Sequence, residues 1–244
     1  MAPAPRLSFV VPVYEEGENI GSLLDALGEA TDLRAHELLV VYDRDSDSTL
    51  PVLDRLKPLY PTLRTVRNAY GGGARKALLT GFAQARGEGV CVVMADLSDD
   101  LALLPRMEAL LAEGFDLICP SRYMPGGRQV GGPWLKGLLS RWAGVSLHFL
   151  AGLPTRDPTN NFKLYRTSMI RRITVETEGG FEMALEMTVK AWRAGYRVTE
   201  LPAKWRDRTA GRSQFRLWRW LPRYLRWYLL ALLPGRSRLR PAVE

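Results

Sequence analysis

A chain of 244 residues, 46% hydrophobic and 25% charged, can bury a sizeable core and does not have a disordered composition. Its two cysteines exclude a disulfide framework, and neither Cys91 nor Cys119 has His or Cys at zinc-ligand spacing. The net charge of +8 is unevenly placed: residues 1–192 hold 21 Lys+Arg against 23 Asp+Glu, and the stretch from Arg193 onward holds 13 against 3. The basic character belongs to the tail and points to an anionic partner there.

Residues 1–5 are too short for a signal peptide and lead straight into a strand at 6–14, RLSFVVPVY. A helix follows to about residue 30, with Ile20, Leu23, Leu24 and Leu27 on one face. Residues 37–42, ELLVVY, form a second buried strand that stops at Asp43, Asp45 and Asp47, and a helix starts near Ser48. A short strand at 63–66 precedes the glycine-rich turn NAYGGG and a helix at 74–85. Residues 89–100, GVCVVMADLSDD, organise the rest. An all-apolar run bounded by Gly reads as a buried strand of a largely parallel sheet, and it ends at Asp96, Asp99 and Asp100. Helix capping accounts for one such acid but not for three. In open α/β sheets ligands sit outside the carboxyl ends of the strands, and carboxylate oxygens there suit Mg²⁺ or Mn²⁺. A helix from 101 to 111 and a strand at 115–119 complete five strand–helix alternations, which predict a doubly wound parallel α/β sheet.

The second half is less regular. Residues 121–132 read as a loop, 133–150 as a helix, 161–165 as a strand, 181–194 as a helix and 197–201 as a strand. In residues 215–233 the arginines Arg216, Arg219, Arg223 and Arg226 form one helical stripe opposite Trp218, Leu221, Leu225 and Leu229. Pro222 is expected to kink this helix or to start a new one. Its apolar run is far short of a membrane span, so the segment suits either a membrane surface or packing on its own domain. GxGxxG, the P-loop, GxSxG and HExxH are all missing, which sets aside hydride transfer, P-loop phosphoryl transfer, serine hydrolysis and zinc hydrolysis. Nucleotide-diphosphate chemistry remains.

Taken in order, FVVPVYEEGENI, VYDRDSDST, GGARKALLTGF, MADLSDD, SRYMPGG, DPTNNFKLYR, GFEMALEM and DRTAGRSQF resemble the blocks of a known family. The family is the inverting GT-A-fold glycosyltransferases of family 2, within it the polyprenyl-phosphate (dolichol-phosphate) mannose synthase-like group. The resemblance spans residues 7–228 and implies a Rossmann-like, mostly parallel sheet flanked by helices, with a C-terminal amphipathic helix. It divides the chain into a transferase domain, 1–214, and a basic membrane-associating segment, 215–244. The implied reaction moves a hexose, mannose or glucose, from a GDP- or UDP-sugar to a polyprenyl or dolichyl phosphate, with Mg²⁺ or Mn²⁺ as cofactor.

The implied donor contacts are Pro12, Tyr14, Glu16, Asp43, Gly73, Asp96, Arg208 and Ser213, with the metal on Asp96, Ser98 and Asp99. Arg122, Lys136 and Ser140 match acceptor-phosphate positions, so that Asp96, Arg122 and Lys136 carry the chemistry. Met94 stands where the family has its first metal Asp, Arg75 replaces a glycine of the nucleotide turn, and Gln214 stands where Lys often follows the serine. Glu186 is a candidate base toward a hydroxyl acceptor, or else the partner of Lys190 at i,i+4. A phosphomonoester with a second pKa near ~6 is largely anionic at neutral pH and needs no strong base. Two anions must instead meet, which calls for cations on both sides. The chain is expected to be cytoplasmic and peripheral to the membrane. A sugar-hydroxyl acceptor and a degenerate nucleotide-sugar binder are the other readings, and no nucleic-acid-reading motif is present.

Overall fold

The structure, a computed structural model, describes residues 5–180, 182–207 and 217–233. Its first half follows the predicted alternation: β1 (Leu7–Val13), α1 (Ile20–Ala30), β2 (Glu37–Tyr42), α2 (Thr49–Leu56), β3 (Leu63–Arg67), α3 (Ala74–Gln84), β4 (Gly89–Val92) and α4 (Leu104–Ala112). The second half contains β5 (Leu117–Ser121), β6 (Arg128–Val130), α5 (Trp134–Ala151), β7 (Lys163–Arg166), α6 (Thr167–Ile170), α7 (Met183–Arg193), β8 (Val198–Pro202), β9 (Lys204–Arg206) and α8 (Leu217–Leu232).

Seven strands form one sheet in the order β3-β2-β1-β4-β7-β5-β8. The expected parallel sheet holds for β1 to β4, but β7 runs antiparallel between β4 and β5. Because β7 is reversed, the loop that enters it lies at the same edge as the carboxyl ends of β4 and β5. Residues 128–130, predicted as loop, form a parallel ribbon with β9.

The sheet separates two apolar layers. In β1, Phe9 and Val11 pack with Ile20, Leu23, Leu24 and Leu27 of α1 and with Leu53 of α2. Val10, on the opposite face as strand alternation requires, packs with Ala77 and Phe82 of α3. Each fully buried leucine contributes roughly 1.5–3 kcal/mol, which is why the helix-period pattern of α1 is readable. The approach of α3 to β1 demands a glycine: a Cβ at Gly81 would lie 2.3 Å from Val10 Cγ1.

Of α8, side chains are described from Pro222 onward, so Trp218, Arg219 and Leu221 fall outside that description. A single helix runs through Pro222. Trp227 and Ala231 are buried in the α7 layer, whereas Leu225 and Leu229 are exposed. Among the described residues no helix is long and apolar enough to cross a membrane.

Candidate active site

The residue types singled out from the sequence converge on the carboxyl edge of the sheet. β1, β2, β3 and β4 all point there, delivering Tyr14, Asp43, the 71–73 turn and Asp96 from successive strands. The two non-glycine residues with positive φ among those described, Glu15 (58°) and Leu97 (57°), lie just beyond β1 and β4. A left-handed backbone at such residues costs energy that the surroundings must offset, and strain of this kind clusters at functional sites.

At the nucleotide end, Asp43 is the hinge between two strand ends. One of its oxygens accepts from Asn68 Nδ2 at 2.8 Å and the other from Gly73 N at 2.7 Å. Gly73 has φ +112°, so the turn needs glycine to present its N–H this way. The three acids after β2 therefore divide their roles: Asp43 shapes the turn, Asp45 meets Arg67 at 3.1 Å, and Asp47 accepts from Thr49 N and Glu15 N. Tyr14 is exposed, with the Arg44 guanidinium 4.8 Å above its ring and 3.0 Å from its hydroxyl. Arg44 also pairs with Glu15, whose carboxyl is held below the usual range mainly by hydrogen bonding from Ser48. Pro12 is buried within β1 opposite Val41, and Glu16 accepts from Asn19 Nδ2 at the start of α1.

The acid loop after β4 is braced by its own backbone. Asp96 accepts from Ser98 N at 3.2 Å, Asp99 from Met94 N at 3.2 Å, and Asp100 from Lys204 N at 3.0 Å. Ser98 is buried, and its carbonyl accepts from Arg206 N. Burial, with a smaller contribution from Asp96, pushes the Asp99 carboxyl up to about 7. Among the described residues no three His, Cys, Asp or Glu side chains form a metal cluster. Asp100 is committed to β9, so Asp96 and Asp99 are the two carboxylates left. That set fits Mg²⁺, which is usually bound by one or two carboxylates together with substrate phosphates.

Arg122 directly follows β5. Its Nε and Nη2 fork onto Asp157 at 2.6 and 2.9 Å, and its backbone N–H donates to the same carboxylate at 3.1 Å. The guanidinium lies 4.8 Å from the Tyr123 ring centroid and 5.9 Å from that of Trp205. Asp157 raises the Arg122 pKa against the opposing effect of burial, so the group stays protonated. Ser140, on α5, reaches Arg122 Nη2 at 3.5 Å and Thr159 Oγ1 at 2.5 Å. Lys136 stands one turn before Ser140 on the same helix. Asp99 and Arg122 feel each other's charge, which joins the acid loop to this cationic corner.

Glu186 lies on α7. It is fully buried and accepts from Glu176 N, Thr177 N and Lys190 Nζ, the last at 2.7 Å. The i,i+4 ion pair forms, and both oxygens also brace the 174–177 segment. Arg208, Ser213, Gln214 and Arg216 lie outside the described residues. Sequence reasoning missed the roles of Arg44 and Thr159 and the pairing of Asp157 with Arg122. Spacing carries no signal for a partner 35 residues away.

The mixed sheet, with acids at two strand ends and a forked arginine at a third, has the GT-A fold of its structural neighbours. Glucosyl-3-phosphoglycerate synthase from Mycobacterium tuberculosis, solved with UDP, superposes with TM-score 0.67 at 15% identity, covering 95% of this chain and 82% of that one. S. aureus TarS gives a TM-score of 0.61 at 23% identity, over 82% of this chain and 60% of that one. The sequence model of glycosyl transferase family 2 matches residues 8–174, and the chain belongs to that family.

Two curated relatives sharpen the placement. A polyprenol monophosphomannose synthase from Mycolicibacterium smegmatis is 30% identical over 87% of this chain and 82% of its own length. A dolichol-phosphate mannosyltransferase from Pyrococcus furiosus is 25% identical over 91% of this chain, which spans 64% of the archaeal protein.

Proposed function

We propose that the chain transfers a hexose from a GDP- or UDP-sugar to a polyprenyl phosphate at a membrane surface, with inversion. The observation that carries this reading is the forked Arg122 beside the acid loop, in a family whose relatives include polyprenyl-phosphate mannosyltransferases. An acceptor-phosphate oxygen forms the bond to the anomeric carbon as the bond to the nucleotide diphosphate breaks. The nucleophile is already anionic, so no residue has to remove a proton. Arg122 and Lys136 hold the acceptor phosphate, with Ser140 beside them, and Asp43 with the 71–73 turn seats the nucleotide. Asp96 and Asp99 would hold Mg²⁺ or Mn²⁺, whose charge would offset that of the leaving diphosphate.

The membrane partner is supported by the outer faces of α8 and α5. On α8, Trp227 and Ala231 pack into the domain, while Leu225 and Leu229 face outward beside an exposed Arg226, which pairs with Glu176. α5 packs against α8 through Trp142 stacked on Tyr228 at 6.0 Å, and it exposes Trp134 (77%), Leu138, Trp142 and Phe149 (73%). Exposed apolar and aromatic residues beside an exposed arginine suit a bilayer interface rather than water.

The test supplies undecaprenyl or dolichyl phosphate and a panel of labelled GDP- and UDP-sugars, with and without Mg²⁺ or Mn²⁺. Label should enter the organic phase from one donor and be lost in Asp96→Ala and Arg122→Ala. Nucleotide-sugar binding without label in lipid would overturn the proposal. Replacing Trp134, Leu138 and Phe149 together with Ser should release the protein from vesicles while leaving nucleotide binding unchanged.

A further inference from the structure

We infer that Asp157 is the positioning residue for Arg122, and that Thr159 locks this fork to Ser140 of α5. The inference rests on the proposed role of Arg122 at the acceptor phosphate. Asp157 is fully buried and spends three contacts on one arginine. With Nε and Nη2 engaged, the Nη1 edge of the planar guanidinium is the edge left for an oxyanion. Thr159 Oγ1 bridges Asp157 Oδ1 at 3.2 Å, Ser140 Oγ at 2.5 Å and Arg122 Nη2 at 3.4 Å, so rotation of any one group disturbs the other three.

The loop carrying Asp157 and Thr159 is itself clamped. Lys163, fully buried at the start of β7, donates to the carbonyls of Pro158 and Asn160, and Asn160 Nδ2 donates to Pro120 O at 3.0 Å. Thr155 Oγ1 accepts from Asp157 N at 3.1 Å. Such bracing is more than a stabilising ion pair requires, since buried pairs can often be replaced by apolar residues without loss of stability. Asp157 also cancels the charge of Arg122. Arg122 therefore supplies direction to the phosphate rather than net charge.

The test measures initial rates of Asp157→Asn and Thr159→Val with donor and polyprenyl phosphate varied separately, in the wild-type and Arg122→Lys backgrounds. Asp157→Asn is expected to lower kcat/KM for the lipid phosphate about 30-fold or more with donor KM changed less than about twofold, as loss of one partner of a buried charge pair predicts. Thr159→Val should lower it about 3- to 10-fold, the scale of one or two lost hydrogen bonds. In the Arg122→Lys background both effects should shrink to about twofold or less, because residues acting through one another are not additive. If Asp157→Asn does not fold, Thr159→Val decides alone. Silent Asp157→Asn and Thr159→Val variants beside a damaged Arg122→Lys would overturn this inference only. A silent Arg122→Lys would overturn the acceptor role of Arg122 as well.

Discussion

The amino-terminal and carboxyl-terminal halves of the site are built by different means. From β1 to β4, functional groups are held by the backbone of adjoining turns: Asp43 by Gly73 N, Asp96 by Ser98 N, Asp99 by Met94 N. From β5 onward charge pairs between distant segments take over: Arg122 with the buried Asp157, and Arg156 with Glu200. The first design fixes shape through local backbone donors, although burial still raises the Asp99 carboxyl. The second fixes direction, at the risk that losing one partner leaves a buried charge alone.

The largest test of that contrast is Arg122→Ala. Losing one oriented donor costs about 10²–10³ in rate, and Asp157 left unpaired costs about 3–5 kcal/mol of stability. Activity assays and denaturant melts should both show the loss, and an unchanged midpoint would refute the buried-pair account. In the amino-terminal half the large effect is steric. Gly81→Ala forces a Cβ into Val10 and should cost about 1–3 kcal/mol, lowering Tm with nucleotide affinity intact once folded.

Asp43→Ala removes two contacts that are each worth about 1 kcal/mol, so donor affinity should fall on the order of tenfold with acceptor KM unchanged. The smallest effect is a titration outside the site. His36 is buried, accepting from Leu7 N at Nδ1 and lying 2.9 Å from Thr31 Oγ1 at Nε2, and burial lowers its pKa. The unfolded chain then binds more protons than the native one as pH drops through the ordinary histidine range. Stability contributed by neutral His36 is present above about pH 6.5 and declines below it. His36→Gln should flatten that slope in wild-type-minus-variant melts between about pH 5 and 7, and identical slopes would sink the assignment.

The same contrast explains what the sequence made legible. The ELLVVY and GVCVVM runs, the α1 stripe and the acids at two strand ends announce themselves, because a strand and the turn after it are neighbours in the chain. The antiparallel β7 does not: KLYR carries no mark of direction, and its reversal is what brings Asp157 and Thr159 to Arg122. Glu186 is an intermediate case: its spacing allows either a base or the i,i+4 partner of Lys190, and the ion pair forms with two backbone donors beside it. On α8 the Arg and Leu stripes are readable, but the residues that face the domain, Trp227 and Ala231, belong to neither stripe.

The central claim is that the two halves divide donor from acceptor, and binding measured separately tests it most directly. Donor nucleotide and a short-chain polyprenyl phosphate should each be titrated into wild type, Asp43→Ala and Arg122→Lys. The account predicts a crossed result: Asp43→Ala weakens nucleotide alone, and Arg122→Lys weakens lipid phosphate alone. Equal loss of both ligands in either variant, or loss of nucleotide in Arg122→Lys, would contradict it.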